Sequence, residues 1–246
     1  MPAIFDEPTE LSVLFGLAGG NSPTEPGAGG GRVSDVQTAI LLFDAITALD
    51  AIGPYEVLQR IPGNEVVFCA TTPGPYRTDT KSLALIADAA LAEVSSPEIL
   101  LVPGGFGTRV LVEDEAILEW VKGAHATSTW TTSVCTGSLV LGAAGVLEGL
   151  EATTHWSVMD LLAGYGAKPT KQRVVFQGKV VTAAGVSSGI DMGLSLAAAI
   201  AGDDVAKAIQ LSIEYDPQPP FDCGSPDKAS PEIVTMLQEL MSARMK

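Results

Sequence analysis

From Val36 onward the chain alternates short apolar runs rich in β-formers with segments of helical character, and this alternation restricts the possible folds more than any other feature. The runs are Thr38 to Phe43, Val66 to Ala70, Ile99 to Val102, Ser128 to Val134 and Lys179 to Ala183. Helices are predicted among them at Pro54 to Arg60, Ala116 to His125, Thr136 to Ala144 and Ser188 to Ala201. Parallel strands need a long crossover, which a helix supplies, so this order reads as a parallel sheet covered on both faces. The expected fold class is α/β, a doubly wound, mostly parallel sheet. Asp203 can cap a further helix in which Val205, Ile209 and Ile213 recur on one face, and a last helix is predicted after Pro231.

Residues 1–35 read differently. Gly16 to Gly31 is crowded with Gly, Pro, Ser and Asn and cannot bury enough apolar surface to offset ordering. The expected organisation is a flexible leader over 1–35 followed by one domain over 36–246. Within the leader, Leu11 to Phe15 is apolar enough to dock on the body or on a partner chain. The opening Met1-Pro2-Ala3-Ile4-Phe5-Asp6-Glu7 has no cationic start and no apolar stretch behind it, so a cytoplasmic protein is expected. The most apolar segment, Met192 to Ala201, is interrupted by Gly193 and Ser195 and is far short of the ~18 residues a membrane span needs. A net charge of −15 argues against nucleic acid, whose phosphates call for a basic face.

Open sheets of this kind place their sites at the carboxyl ends of strands, and three such ends stand out. In Thr131-Thr132-Ser133-Val134-Cys135-Thr136-Gly137-Ser138 a strand feeds directly into a helix with Cys135 at the junction, the layout of a nucleophile elbow. The helix amino terminus there favours a thiolate over a thiol. The bland alternative is a buried, inert cysteine, the reading adopted for Cys69 and Cys223. In Pro103-Gly104-Gly105-Phe106-Gly107 a glycine-rich turn follows a strand, and its N–H groups are expected to approach a reacting atom as an oxyanion hole. The same glycines begin a dinucleotide fingerprint, but Val110 stands where its third glycine belongs, so no such cofactor is expected. At the third end, Asp50 either caps a helix beginning near Pro54 or faces Cys135 in a semi-apolar pocket. There, desolvation and the thiolate would raise its pKa and make it a proton donor. With three cysteines, no C-x-x-C and two histidines, neither a disulfide framework nor a metal site is expected.

The stretches Thr132 to Gly145, Ala152-Thr153-Thr154-His155-Trp156, and Glu214-Tyr215-Asp216-Pro217-Gln218-Pro219-Pro220-Phe221 with Gly224-Ser225-Pro226 resemble the ThiJ/PfpI branch of the class I glutamine-amidotransferase-like superfamily. The segment Leu49 to Leu58 and the E-Y-x-P-x-P-P-F tail sharpen the resemblance to its isonitrile hydratases. The resemblance covers about Val36 to Pro231 and implies a flavodoxin-like fold, a homodimer, and a small-molecule isonitrile as substrate. It also implies Cys135 as nucleophile, Asp50 as its carboxylic-acid partner and Thr136 as a site residue beside them. Gly104, Gly105, Phe106 and His155 are expected around substrate or oxyanion, with a hydrogen-bonded structural histidine the equal alternative for His155. Peptidase-like members have histidine directly after the nucleophile, where this chain has Thr136. Asp191, three residues after Ser188, reads as part of a capping box. Two other readings share the motif: an amidase-like ligand-sensing domain without a DNA-binding module, and a glyoxalase or thiol stress-response protein. No cofactor is implied.

Overall fold

The apolar runs become neighbouring strands of one seven-stranded sheet in a computed structural model that describes residues 36–243. The predicted leader, Leu11 to Phe15 included, lies outside them. In chain order the elements are β1 (Val36–Leu41), α1 (Ala48–Leu58), β2 (Asn64–Ala70), β3 (Gly74–Arg77), β4 (Ala84–Ala87), β5 (Ala89–Ala90), β6 (Ile99–Val102), α2 (Thr108–Leu111), α3 (Glu115–Thr127), β7 (Trp130–Val134), α4 (Gly137–Ala143), β8 (Glu151–Ala152), α5 (Met159–Gly164), β9 (Lys168–Pro169), β10 (Val174–Gln177), β11 (Val180–Ala183), α6 (Ser188–Ala201), α7 (Asp203–Ser212) and α8 (Pro231–Ala243). The sheet runs β10-β11-β7-β6-β1-β2-β5, and every pairing in it is parallel except β10 with β11. The central strand explains why: β6 is Ile-Leu-Leu-Val, buried at every position, and such a strand needs cover on both faces. Helices α1, α6 and α7 pack together over a cluster of Val57, Leu58, Leu196, Ala197 and Ile209, while α3, α4 and α5 surround the larger core around β1, β6 and β7. Among the described residues no helix is long and apolar enough to cross a membrane.

Several boundaries differ from the reading of the sequence. Helix α1 starts six residues before the predicted Pro54, and Pro54 lies inside it. Proline inside a helix loses one hydrogen bond and crowds the carbonyl four residues back. Packing overrides this here: Pro54 rings against Gly189, Gly53 against Ile190 and Val57 against Gly193, where the glycines of α6 let the two helices approach. Asp203 is the first residue of α7 and not its cap; Gly202, at a φ of 89°, makes the turn between α6 and α7. Asp191 forms no capping box. Ser187 precedes α6 without a side-chain cap, and the Asp191 carboxylate instead takes Arg173 and the Tyr215 hydroxyl. The β10–β11 hairpin, the β3–β4 pair and helix α5 were not foreseen. The hairpin was readable, since Val174-Val175-Phe176-Gln177-Gly178-Lys179-Val180-Val181 brackets a glycine turn with two β-rich runs.

Candidate active site

The register brings three chain segments to one end of the sheet. Val134 at the end of β7 pairs with Ala183 of β11, and Ser133 pairs with Val102 of β6, so the residues that follow these strands meet. Cys135 stands at the β7–α4 junction with φ 57°, a left-handed conformation uncommon outside glycine and held only by its surroundings. Its N–H donates to the carbonyls of Ala183 and Ala184, and its own carbonyl accepts from the Thr154 hydroxyl at 2.9 Å. Gly137 makes the turn possible, since a Cβ there would lie 2.0 Å from the Val102 carbonyl oxygen. The predicted elbow is therefore present, and Cys135 is 5% exposed.

Asp50 belongs to the first turn of α1, but its side chain does not cap that helix. It is fully buried, and Oδ2 accepts from the Gly104 N–H at 3.0 Å. Oδ1 is buried without a well-formed hydrogen bond, and the thiol of Cys135 lies against the same carboxyl. Burial pushes the Asp50 pKa up to about 7; the Cys135 contact and the Gly104 N–H pull against this, and Asp79 adds to it. The carboxyl is thus poised near neutrality, as the donor reading requires, although its burial and not a neighbouring thiolate is the main cause.

Two expectations are corrected here. The preference for a thiolate at Cys135 does not go unopposed: burial and the facing carboxyl push the thiol above its usual value, while the N–H groups of Thr136 and Val186 pull it down. Nor are the N–H groups of Gly104 and Gly105 free for an oxyanion. The first is taken by Asp50 and the second donates to the Thr136 hydroxyl at 2.9 Å, while that hydroxyl donates to the Gly105 carbonyl. These glycines hold the acid and the hydroxyl in place. A Cβ on Gly104 would meet the Thr136 nitrogen at 2.6 Å and Asp50 Oδ2 at 2.7 Å. The N–H groups that face the sulfur come from Thr136 and Val186. No side chain in Ala183-Ala184-Gly185-Val186 marks the segment as part of a site; only its place at the end of β11, beside β7, does.

Above Cys135 opens a cavity of about 460 Å³ walled by Phe106, Leu139, His155, Val158 and Val186, with Gln238 and Met241 of α8 closing one side. Phe106 therefore lines it as expected, with the Arg109 guanidinium 5.0 Å above its ring. His155 also lines it, but its Nδ1 is engaged by Ser157, with the hydroxyl oxygen at 2.8 Å, and burial lowers its pKa, which favours the uncharged ring. Gly104 is buried beneath the cavity floor. The glycine turn forms no phosphate cradle: Gly105 and Gly107 press against the backbone of Asp44 to Thr47. Among the described residues no group of three or more His, Cys, Asp and Glu is gathered closely enough to hold a metal ion.

A model of the DJ-1/PfpI family matches residues 36–199. The chain is 41% identical over 211 residues to an isonitrile hydratase from Pseudomonas putida, an alignment spanning 86% of this chain and 92% of that one. It is 28% identical over 177 residues to a helix-turn-helix-type transcriptional regulator from Pseudomonas aeruginosa, which covers 70% of this chain but only 52% of the regulator. Among solved structures, a ThiJ/PfpI family protein from Pseudomonas syringae superposes with a TM-score of 0.82 at 36% identity, covering 89% of this chain and 93% of that one.

Proposed function

The chain belongs to the DJ-1/PfpI family, and from that premise we propose that it hydrates an isonitrile to the N-substituted formamide, with Cys135 as nucleophile and Asp50 as acid and base. The observation that carries the reading is the buried carboxyl of Asp50 set against the Cys135 thiol with a pKa of about 7. Hydration of R–N≡C demands a nucleophile and a proton at one carbon, and this pair supplies both. The Asp50 carboxylate takes the thiol proton as sulfur bonds to the isonitrile carbon, then delivers that proton to the same carbon, leaving Cys135–S–CH=N–R. Water adds to this thioimidate. One of its protons reaches nitrogen through Asp50, and its oxygen bonds to carbon. The tetrahedral adduct collapses as the C–S bond breaks, the hydroxyl proton returns to sulfur, and R–NH–CHO leaves. The N–H groups of Thr136 and Val186 are placed to steady the negative charge on sulfur and on the adduct.

A thiol kept protonated until the carboxylate takes its proton suits a substrate that needs that proton on carbon. The Phe106, Leu139 and Val158 walls suit an apolar R group. We place the protein in the cytoplasm, as its three unpaired cysteines suggest, and as a homodimer, for which the exposed Ile233, Met236, Leu237 and Leu240 of α8 offer an apolar stripe. Incubation with a simple alkyl isonitrile should yield the formamide, detected by mass spectrometry. Turnover of methylglyoxal without any formamide would replace this reading by the glyoxalase one.

A further inference from the structure

The tail motif Glu214 to Phe221 has no place in the mechanism above, yet one of its residues is tied to helix α6. Tyr215 donates its hydroxyl to Asp191 Oδ1 at 2.9 Å. Glu214, at φ 49°, makes the turn that delivers it, and the Tyr215 N–H donates to the Gln210 carbonyl. Asp191 accepts from Arg173 Nε through its other oxygen, and the same guanidinium donates to Ser187 Oγ at 3.2 Å. Arg173 also accepts the Ala184 N–H on its carbonyl at 2.9 Å. The network therefore grips both sides of residues 184–187, the loop whose Val186 N–H faces the Cys135 sulfur. That loop needs gripping: Val186 sits at φ 29°, which a β-branched residue adopts only under constraint. Gly185 beside it packs so closely on His155 that a Cβ would lie 2.7 Å from the ring.

We propose that Arg173, Asp191 and Tyr215 are positioning residues, a latch that fixes the Val186 N–H against the Cys135 sulfur. It gives the tail a task in the chemistry, and for its effect on turnover it rests on the hydratase reading. The groups that face the Cys135 thiol are the carboxyl of Asp50 on α1, with Asp79 behind it, and the N–H groups of Thr136 and Val186; His155 borders the same cavity. Releasing Val186 removes one of the two N–H groups and leaves the rest in place.

The test is alkylation of Cys135 by iodoacetamide, followed peptide by peptide so that Cys223 does not interfere, across about pH 6 to about pH 10. A hydrogen bond to a charged group is worth about a factor of ten or more in equilibrium, so Arg173→Ala should raise the apparent thiol pKa by about one unit and slow alkylation about tenfold at a given pH. In turnover, kcat should fall by about the same factor with KM little changed. Arg173→Lys, which keeps the charge but loses the fork, should recover part of both. Tyr215→Phe removes a single hydroxyl and should shift the profile in the same direction by less. If the profiles of Arg173→Ala and Tyr215→Phe superimpose on that of the parent, the latch is refuted, even where melting temperatures drop. Should Arg173→Ala fail to fold, Tyr215→Phe alone decides. Alkylation requires no isonitrile, so its outcome is independent of whether the formamide is formed.

Discussion

Replacing Asp50 by asparagine should stop turnover and, above neutral pH, make the protein more stable. The carboxyl has a pKa of about 7 in the fold and 3.8 when unfolded. Below the lower value it is neutral in both states. Between the two, the unfolded chain gives up a proton that the folded chain keeps, so stability is lost as pH rises, and the loss is complete once the folded carboxyl ionises. At 1.36 kcal/mol per unit over about three units, ~4 kcal/mol of stability disappears across this window. Asparagine has nearly the same shape and can still accept the Gly104 N–H, yet carries no charge to desolvate. Its amide must sit where Oδ1 now has no partner, which costs ~1–2 kcal/mol. The variant should therefore exceed the parent by ~2–3 kcal/mol at about pH 8 and fall below it near pH 4. Chemical denaturation at about pH 5.5 and about pH 7.5 avoids the isoelectric region, and the difference between the two proteins should swing by ~2 kcal/mol between them. A difference independent of pH would show that Asp50 does not hold a proton through this range, and the acid–base mechanism would lose its acid.

Cys135→Ala and Cys135→Ser should abolish formamide production with the fold retained, whereas Cys69→Ser and Cys223→Ser should stay largely active in the same steady-state assay. Cys69 is buried against the Ile40 carbonyl with its thiol pushed up to about 12, and Cys223 is exposed away from the cavity. Gly104→Ala places a methyl group among the Thr136 nitrogen, its hydroxyl and the Asp50 carboxylate, so kcat should fall by ~10² or more, and a near-parental rate would show that this cradle is not needed. Dialysis against a chelator should leave the rate unchanged, because the thiol and the carboxyl account for every proton and bond in the reaction; loss restored by a divalent ion would overturn that scheme.

The sheet was legible because its central strand β6 is a continuous apolar run and its neighbours β1 and β7 are short segments rich in β-formers, a pattern that owes little to distant context. The elbow was legible because the strand ends at Val134 and the helix begins at Gly137, and of the two residues between them it is the cysteine that takes the left-handed turn. What escaped was decided by contacts between remote segments. Proline at position 54 reads locally as a helix start, and only the glycines of α6, far along the chain, show why the helix continues through it. Gly104 and Gly105 read as open donors because nothing local reveals that Asp50 and the Thr136 hydroxyl occupy them. Likewise the thiolate favoured by a helix end is opposed by burial, which nothing in the local sequence reveals.

Asp50, Gly104, Cys135 and Val186 are adjacent in space only because the strands beside them are neighbours in the order β11-β7-β6-β1. Along the chain they are widely separated, and biosynthesis delivers them one after another. A polypeptide leaving the ribosome carries Cys135 before β11 and the loop behind it have been made, so its sulfur lacks the Val186 contact and the backbone carbonyls that hold the elbow. Until that strand docks, Cys135 is an ordinary thiol of an unfinished chain. Docking of the last strands therefore shelters the sulfur as it assembles the site: the half-made chain exposes a thiol of ordinary pKa, and the finished sheet buries it beside Asp50 and the two N–H groups.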